Sequence, residues 1–317
     1  MSKYSQTFLD SMKNSKIIIG TEQLGGVDWG NFDVSNVKNA IKYGLDIGIR
    51  SFDTAHVYGL GLSEKRLSKL IGSLRHECEI ITKVGLLWDS KQDCERFSIE
   101  KDLSYKSMLK STQESLKNLN LDRIPVLLAH WPDGKNSTEQ VIENLYKLKE
   151  SGLVDKIGLS NFNVNEVLSL QGSIPIDYYQ GPFSLLDLLN LNYYKEMSSA
   201  GINVITYAPL YHGMLTGKYR QESTFQESDR RHRLNGFMGN QGQTNFSKVD
   251  IVKTYSKMLG CNLKELAIRS LYMLGCDLRV IVGVKNKVQL QENINALNVN
   301  IPNEILESLI KDLSDCV

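Results

Sequence analysis

The chain of 317 residues balances 37 Lys and Arg against 36 Asp and Glu, for a formal net charge of +1, and is 41% hydrophobic with 24 Gly and 6 Pro. This composition excludes collagen-like, disordered and strongly charged classes, and a charge so near zero offers no global field for nucleic acid or anionic lipid, so a small molecule is the expected ligand. No apolar run nears the roughly 20 residues that span a bilayer, the opening residues lack a signal-peptide core, and five scattered cysteines (Cys78, Cys94, Cys261, Cys276, Cys316) form no C-x-x-C, which predicts a cytoplasmic chain with neither disulfides nor a metal.

In chain order, β-type runs recur at Lys16–Gly20, Arg50–Asp53, Glu79–Lys83, Ile124–His130, Lys156–Ser160, Asp177–Gln180, Asn203–Tyr207 and Arg279–Gly283. Segments with helical spacing alternate with them: Val34–Ile47, Ser104–Asn118, Thr138–Glu150, Asn163–Leu170, and Ser247–Leu274 with a break at Gly260–Cys261. The runs IIIG, EIIT, IPVLLA and RVIVG are apolar at successive positions, as expected of parallel strands covered on both faces. Eight such units, with no linker-like stretch, predict a (β/α)8 TIM barrel forming one domain over 1–317, with an N-terminal segment at 1–15. An open, doubly wound sheet for a dinucleotide would carry G-x-G-x-x-G after its first strand; the nearest match, Gly59-Leu-Gly61-Leu-Ser-Glu64, follows the second strand and ends in Glu. The polar, Gly-containing stretch 220–247 after the seventh strand is expected to be a long functional loop.

Catalytic groups of such a barrel come from the C-terminal ends of its strands. Those ends here carry Asp53-Thr54-Ala55 with Tyr58 just beyond, Lys83, His130-Trp131, Ser160-Asn161, Gln180 and Tyr207. Each has an ordinary explanation alone: a helix cap, a solvated lysine, a bonded core tyrosine. Together they describe acid–base chemistry on a carbonyl. A tyrosine hydroxyl, of ordinary pKa about 10, is a poor acid unless a cation stabilises its phenolate, and Lys83 can supply that cation with Asp53 keeping it charged. His130 can orient the substrate oxygen.

The stretch Gly48-Ile-Arg50-Ser-Phe52-Asp53-Thr54-Ala55-His56-Val57-Tyr58-Gly59 strongly resembles the signature of the aldo-keto reductase family. So do Ile81-Thr82-Lys83, Leu128-Ala-His130-Trp131-Pro132-Asp133, Gly158-Leu-Ser160-Asn161-Phe162, and Tyr207-Ala-Pro209-Leu210 with Gly213 to Tyr219, all in family order. The resemblance implies a tetrad of Asp53, Tyr58, Lys83 and His130, hydride transfer from a reduced nicotinamide to a carbonyl carbon, and Tyr58 as the proton donor. It further implies that Ser160, Asn161 and Gln180 hold the nicotinamide carboxamide and that Tyr207 stacks on the ring. Gly20 and Thr21 would lie beside them, with Leu210, Gly213 and Leu215 near the pyrophosphate.

The segment from Val280 to Asn293 resembles the family's adenosine-phosphate loop, with Gly283, Lys285, Gln289 and Asn293 as its contacts and Lys287 as a second cation. Gln289 stands where many relatives carry a phosphate-binding Arg, and Val282 replaces a common Pro; with Lys285 present, NADPH is expected in preference to NADH. Trp29, His56, Val57, Trp88 and Trp131 follow strand ends and are the candidate substrate walls, with Tyr211 or His212 narrowing the rim. Asp229-Arg230-Arg231 resembles the Asp-x-Arg element of relatives whose loop covers the pyrophosphate. The expected activity is therefore NADPH-dependent reduction of an aldehyde or ketone, such as a sugar or a biosynthetic intermediate. The alternatives are the same chemistry run as an oxidation, and a cofactor-binding regulatory module like the potassium-channel β subunits.

Overall fold

A computed structural model describes residues 5, 10–12, 16–27, 29, 32–88 and 99–316. Most of the N-terminal segment 1–15, and Cys94, lie outside the described residues. Eight parallel strands close into a barrel in sequence order: β1 (Ile17–Gly20), β2 (Ser51–Asp53), β3 (Glu79–Val84), β4 (Ile124–Ala129), β5 (Val154–Ser160), β6 (Tyr178–Pro182), β7 (Asn203–Tyr207) and β8 (Arg279–Gly283). The eight expected strands are all present. Their unbroken apolar runs have the cause anticipated above, because one face meets the barrel interior and the other the helical ring.

The interior is filled by Ile18, Ile81, Val126, Leu128, Tyr178, Ile205 and Ile281. At the N-terminal end a polar plug closes it: Arg279 pairs with Glu79 and donates to Ser51 Oγ at 2.9 Å, while the Tyr178 hydroxyl donates to Glu79 at 2.9 Å. The opposite end is the one where Gly20 is paired in register with both Asp53 and Gly283.

Among the described residues, the helices of seven residues or more are α1 (Val34–Asp46), α2 (Leu62–Ile71), α3 (Tyr105–Leu119), α4 (Thr138–Glu150), α5 (Val164–Leu170), α6 (Leu191–Ser199), α7 (Gly239–Met258), α8 (Leu263–Met273), α9 (Lys287–Asn295) and α10 (Asn303–Asp315). Side chains cap the starts of α1, α3, α4, α5, α8 and α9. Ser137 with Gln140, and Asn262 with Glu265, form reciprocal capping boxes on α4 and α8. The Asn262 box also explains the break expected at Gly260–Cys261, since it begins a new helix there. A short antiparallel ribbon, Leu86–Leu87 with Glu100–Lys101, follows β3.

The stretch 220–247 is shorter as a loop than expected. Arg230–Arg233 and Asn235–Phe237 form single 3₁₀ turns, and α7 already begins at Gly239. Its first turns were hidden because GNQGQTNF has no apolar stripe. They are held instead by Asn245, whose amide donates to the Gly236 carbonyl at 2.9 Å, and by Gly242 packed on the Phe237 backbone, where a Cβ would come within 2.6 Å.

Candidate active site

The strand register delivers Asp53 from β2, Lys83 from β3 and His130 just after β4 to one end of the barrel. Lys83 is 1% exposed and spends its donors on three acceptors: Asp53 Oδ1 at 2.7 Å, Asp53 Oδ2 at 2.8 Å and the Thr54 carbonyl at 2.8 Å. Gln180 from β6 gives Asp53 Oδ2 a further bond at 2.8 Å. Burial pushes the Asp53 carboxyl upward, while Lys83 and Gln180 pull it back. The ammonium lies 5.1 Å from the centre of the Tyr58 ring, and the His130 ring meets Tyr58 edge-on at 5.9 Å.

Tyr58 sits in a turn that only its neighbours permit. Gly59 has φ +57°, and a Cβ there would come 2.5 Å from the Gly25 backbone, so two glycines pack the Tyr58 turn against the loop after β1. Beneath it, Ser63 Oγ donates to the Thr21 carbonyl at 2.8 Å and lies 3.0 Å from both the Thr21 and Thr54 hydroxyls. Burial, then the charges of Glu22 and Asp53, hold the Tyr58 phenol well above its ordinary pKa; Arg230 opposes them. His130 is held well below its ordinary value by burial and by Lys83, Arg230 and Lys101, so its imidazole is neutral at pH 7.

Above this cluster opens a cavity of about 1030 Å³. Of the residues expected at the site, Gly20, Thr21, Trp29, Asp53, Val57, Tyr58, Trp88, His130, Trp131, Asn161, Gln180, Tyr207, Leu210, Gly213, Gly283, Lys285, Gln289 and Asn293 line it. Four others do not. Lys83 lies under the floor and Ser160 behind Asn161, which it meets at 3.0 Å. Leu215 is fully buried in the outer apolar core, because the 3₁₀ turn that carries it directs it inward. His56 is turned outward, against Trp88 at 4.5 Å and onto Glu114 at 2.9 Å.

Asn161, in the left-handed region at φ +66°, donates to the His130 carbonyl at 3.0 Å and accepts from the Tyr207 hydroxyl at 2.6 Å, so three strand ends are tied together. At the far end Lys285 donates to the Trp29 carbonyl at 2.7 Å, and its own N–H donates to Gln289 at 2.8 Å. Lys287 is exposed and lies over the Tyr43 ring at 4.3 Å, away from the cavity. Arg231 pairs with Asp229 and Tyr219.

Several lining residues were not anticipated. Glu22 directly follows Thr21, and both oxygens of its carboxylate accept from the one Arg230 nitrogen Nη1, each at 3.0 Å. Lys264 and Glu292 form an ion pair near Gln289 and Asn293. The signal for Glu22 was its position at the end of the first strand; Lys264, on a helix distant in sequence, had none.

The cavity is suited to a dinucleotide with a small substrate beside it, being at the large end of the ~300–1,000 Å³ typical of ligand sites. Its walls also carry buried polar atoms without partners, His130 Nδ1, Gln23 Oε1, Trp29 Nε1 and His212 Nδ1, which a polar ligand would satisfy. Among the described residues no cluster could hold a metal ion, and no helix is long and apolar enough to cross a membrane.

Residues 16–311 match the profile of the Aldo/keto reductase family. The chain is 28% identical to the aldo-keto reductase YhdN of Bacillus subtilis, covering 98% of this chain and 95% of that one. It is 26% identical to a probable voltage-gated potassium channel subunit beta of Arabidopsis thaliana, covering 91% and 90%. It is 25% identical to the NADH-specific methylglyoxal reductase of Escherichia coli, covering 90% and 91%. Among solved structures, a glycerol dehydrogenase of Gluconobacter oxydans superposes with a TM-score of 0.82 at 25% identity, over 94% of this chain and 91% of that one.

Proposed function

This chain belongs to the aldo/keto reductase family of nicotinamide-dependent oxidoreductases, and from that premise we propose that it reduces an aldehyde or ketone with NADPH, using Tyr58 as the acid. The observation that carries this reading is the buried Lys83 ammonium, fixed by Asp53 and Thr54 at 5.1 Å from the Tyr58 ring. Such a cation has one evident chemical use, to favour the phenolate that remains when the hydroxyl gives up its proton. When bound, the reduced nicotinamide supplies hydride to the carbonyl carbon.

This chain's residues account for the rest. Held above its ordinary pKa, Tyr58 stays protonated at neutral pH and is ready to donate. As the proton moves to the carbonyl oxygen, the nearby ammonium offsets the charge left behind, a role worth about 10²–10⁴ in rate for a positioned acid. Neutral His130, at the edge of the Tyr58 ring, positions the oxygen by a hydrogen bond without competing as an acid. Asn161, Gln180 and Tyr207 form the wall that would take the nicotinamide, and Gly213, Gly283, Lys285 and Asn293 the groove for the phosphates and adenosine. Of the four cations that line that groove, Arg231 is paired with Asp229 and Lys264 with Glu292, and the positive charge of Lys218 and Lys285 supports NADPH over NADH.

The test is initial rates in both directions with NADPH, NADH, NADP and NAD, on wild type and Tyr58→Phe. Reduction with NADPH should dominate, and the variant should lose at least 100-fold in kcat while retaining cofactor affinity. Preferred oxidation with NAD, or an unimpaired variant, would refute the assignment.

A further inference from the structure

His56 does not line the cavity, and the proton-transfer scheme makes no use of it. It is 3% exposed, and its backbone N–H donates to the Lys83 carbonyl at 3.1 Å, which fixes the chain there and leaves the imidazole to turn. That ring lies 4.5 Å from the Trp88 ring, tilted by 40°, and Trp88 does line the cavity. The imidazole is therefore the backing of a cavity wall. Its Nε2 meets Glu114 Oε2 on α3 at 2.9 Å, while its Nδ1 is buried without a partner. Among the described residues, Glu114 thus makes the one hydrogen bond that sets the rotation of the ring.

A carboxylate oxygen accepts and cannot donate, so Nε2 carries the proton of this bond. Without Glu114 that N–H would be buried with no acceptor, a cost the ring escapes by rotating toward water or another acceptor. Rotation takes it off Trp88, because aromatic rings attract one another only over a limited range of separation and tilt. The backbone gives the indole little support of its own, since the pairing of the short ribbon ends at Leu87 with Glu100. An indole without backing yields to a larger ligand. Glu114 keeps 47% of its side-chain exposure and lies outside the cavity, so it reaches a substrate only by way of His56 and Trp88.

We propose that His56 and Glu114 are a positioning pair that holds Trp88 as a fixed wall of the substrate pocket and so sets the largest carbonyl compound the site accepts. The inference rests on the reductase reading above for its kinetic readout and adds residues that act from behind the pocket. Room for a single methylene in an apolar pocket changes discrimination by about 10–200-fold, so even a small retreat of the indole is measurable.

The experiment measures kcat and KM for propanal and benzaldehyde under saturating reduced cofactor in wild type, Glu114→Ala, Glu114→Gln, His56→Ala and the double variant His56→Ala/Glu114→Ala. Comparing the benzaldehyde-to-propanal ratio of kcat/KM between proteins cancels the intrinsic reactivity of the two aldehydes. A second readout needs no turnover: acrylamide quenching of the Trp88 emission, taken as the difference between each protein and its Trp88→Phe counterpart, with folding followed by circular dichroism. In Glu114→Ala the ratio should rise at least about fivefold through KM, with kcat for propanal within about twofold of wild type, and the Trp88 quenching constant should at least about double. Glu114→Gln, which keeps an acceptor oxygen, should restore most of both. His56→Ala should change the ratio in the same direction, and the double variant no further, because Glu114 acts through His56. A smaller rise in the ratio or in quenching, or additive effects in the double variant, overturns the proposal and leaves the reductase reading standing. An equal fall in kcat for both aldehydes at unchanged KM places the effect on the tetrad through the His56–Lys83 backbone bond, and also overturns it. A wild type that reduces no aldehyde refutes the reductase reading, while quenching still decides whether the pair holds Trp88.

Discussion

Replacing Lys83 by Met removes the most deeply buried charge of the site while keeping its aliphatic bulk. Asp53, 3% exposed, then loses both bonds from the ammonium and keeps only the one from Gln180. Removing one partner from a buried ion pair costs about 3–5 kcal/mol, chiefly because the survivor is left charged and desolvated. Against a total stability of about 5–15 kcal/mol, this is a large loss, and urea unfolding at pH 7 measures it directly. Burial already pushes the Asp53 carboxyl upward with Lys83 in place. Without Lys83 it rises further, so the variant should recover part of the deficit relative to wild type as pH falls and the carboxyl takes up a proton. The double variant Lys83→Met/Asp53→Asn has no orphaned charge and should regain about 2–4 kcal/mol over the single one. Turnover should not follow stability. Both variants lack the cation beside Tyr58 and should lose at least about 100-fold in kcat, in line with the worth of a positioned acid. A single variant within about 1 kcal/mol of wild type, or a double variant no more stable than the single, would refute the account of a charged, mutually dependent pair.

Three further outcomes follow from the same geometry. His130 is held well below its ordinary pKa of 6.5, so below about pH 6.5 the unfolded chain binds a proton that the folded chain refuses, and folded stability declines as pH falls; His130→Gln removes that term, and its melting temperature relative to wild type should rise between pH 7.5 and 5.0, whereas a constant difference would count against the assignment. Gly59→Ala drives a methyl to 2.5 Å from the Gly25 backbone at φ +57° and should lower stability by about 1–3 kcal/mol and turnover with it, while Gly72→Ala, at φ +53° with nothing within 4 Å, serves as the control and should cost only the backbone strain; equal losses would show that the Tyr58 turn is not so tightly packed. Lys285→Gln should raise KM for NADPH by about tenfold or more, as expected for one charge-assisted phosphate contact, with little change for NADH; an equal effect on both would remove Lys285 from the choice of cofactor.

Much of the barrel was legible because parallel strands covered on both faces must be apolar at every position, which makes IPVLLA or RVIVG readable without partners. The helices were legible only where one face is apolar. The start of α7, GNQGQTNF, is held by an asparagine bond and a glycine contact, which leave no periodic trace, so it read as loop. The candidate tetrad was visible for a reason internal to the fold: a barrel places its chemistry at strand ends, and an Asp, a Lys and a His closing apolar strands are each costly to bury unless they are used or paired. What the chain did not reveal depends on pairing across distant segments. Glu22 and Arg230 are 208 positions apart, and either alone reads as a solvated charge. His56 read as a pocket wall because it follows the end of the second strand, and only the structure shows it turned to Glu114. Strand ends therefore announce where a reaction can occur, while the choice of substrate is written in contacts between loops, whose partners are set by closure of the barrel and by no local pattern.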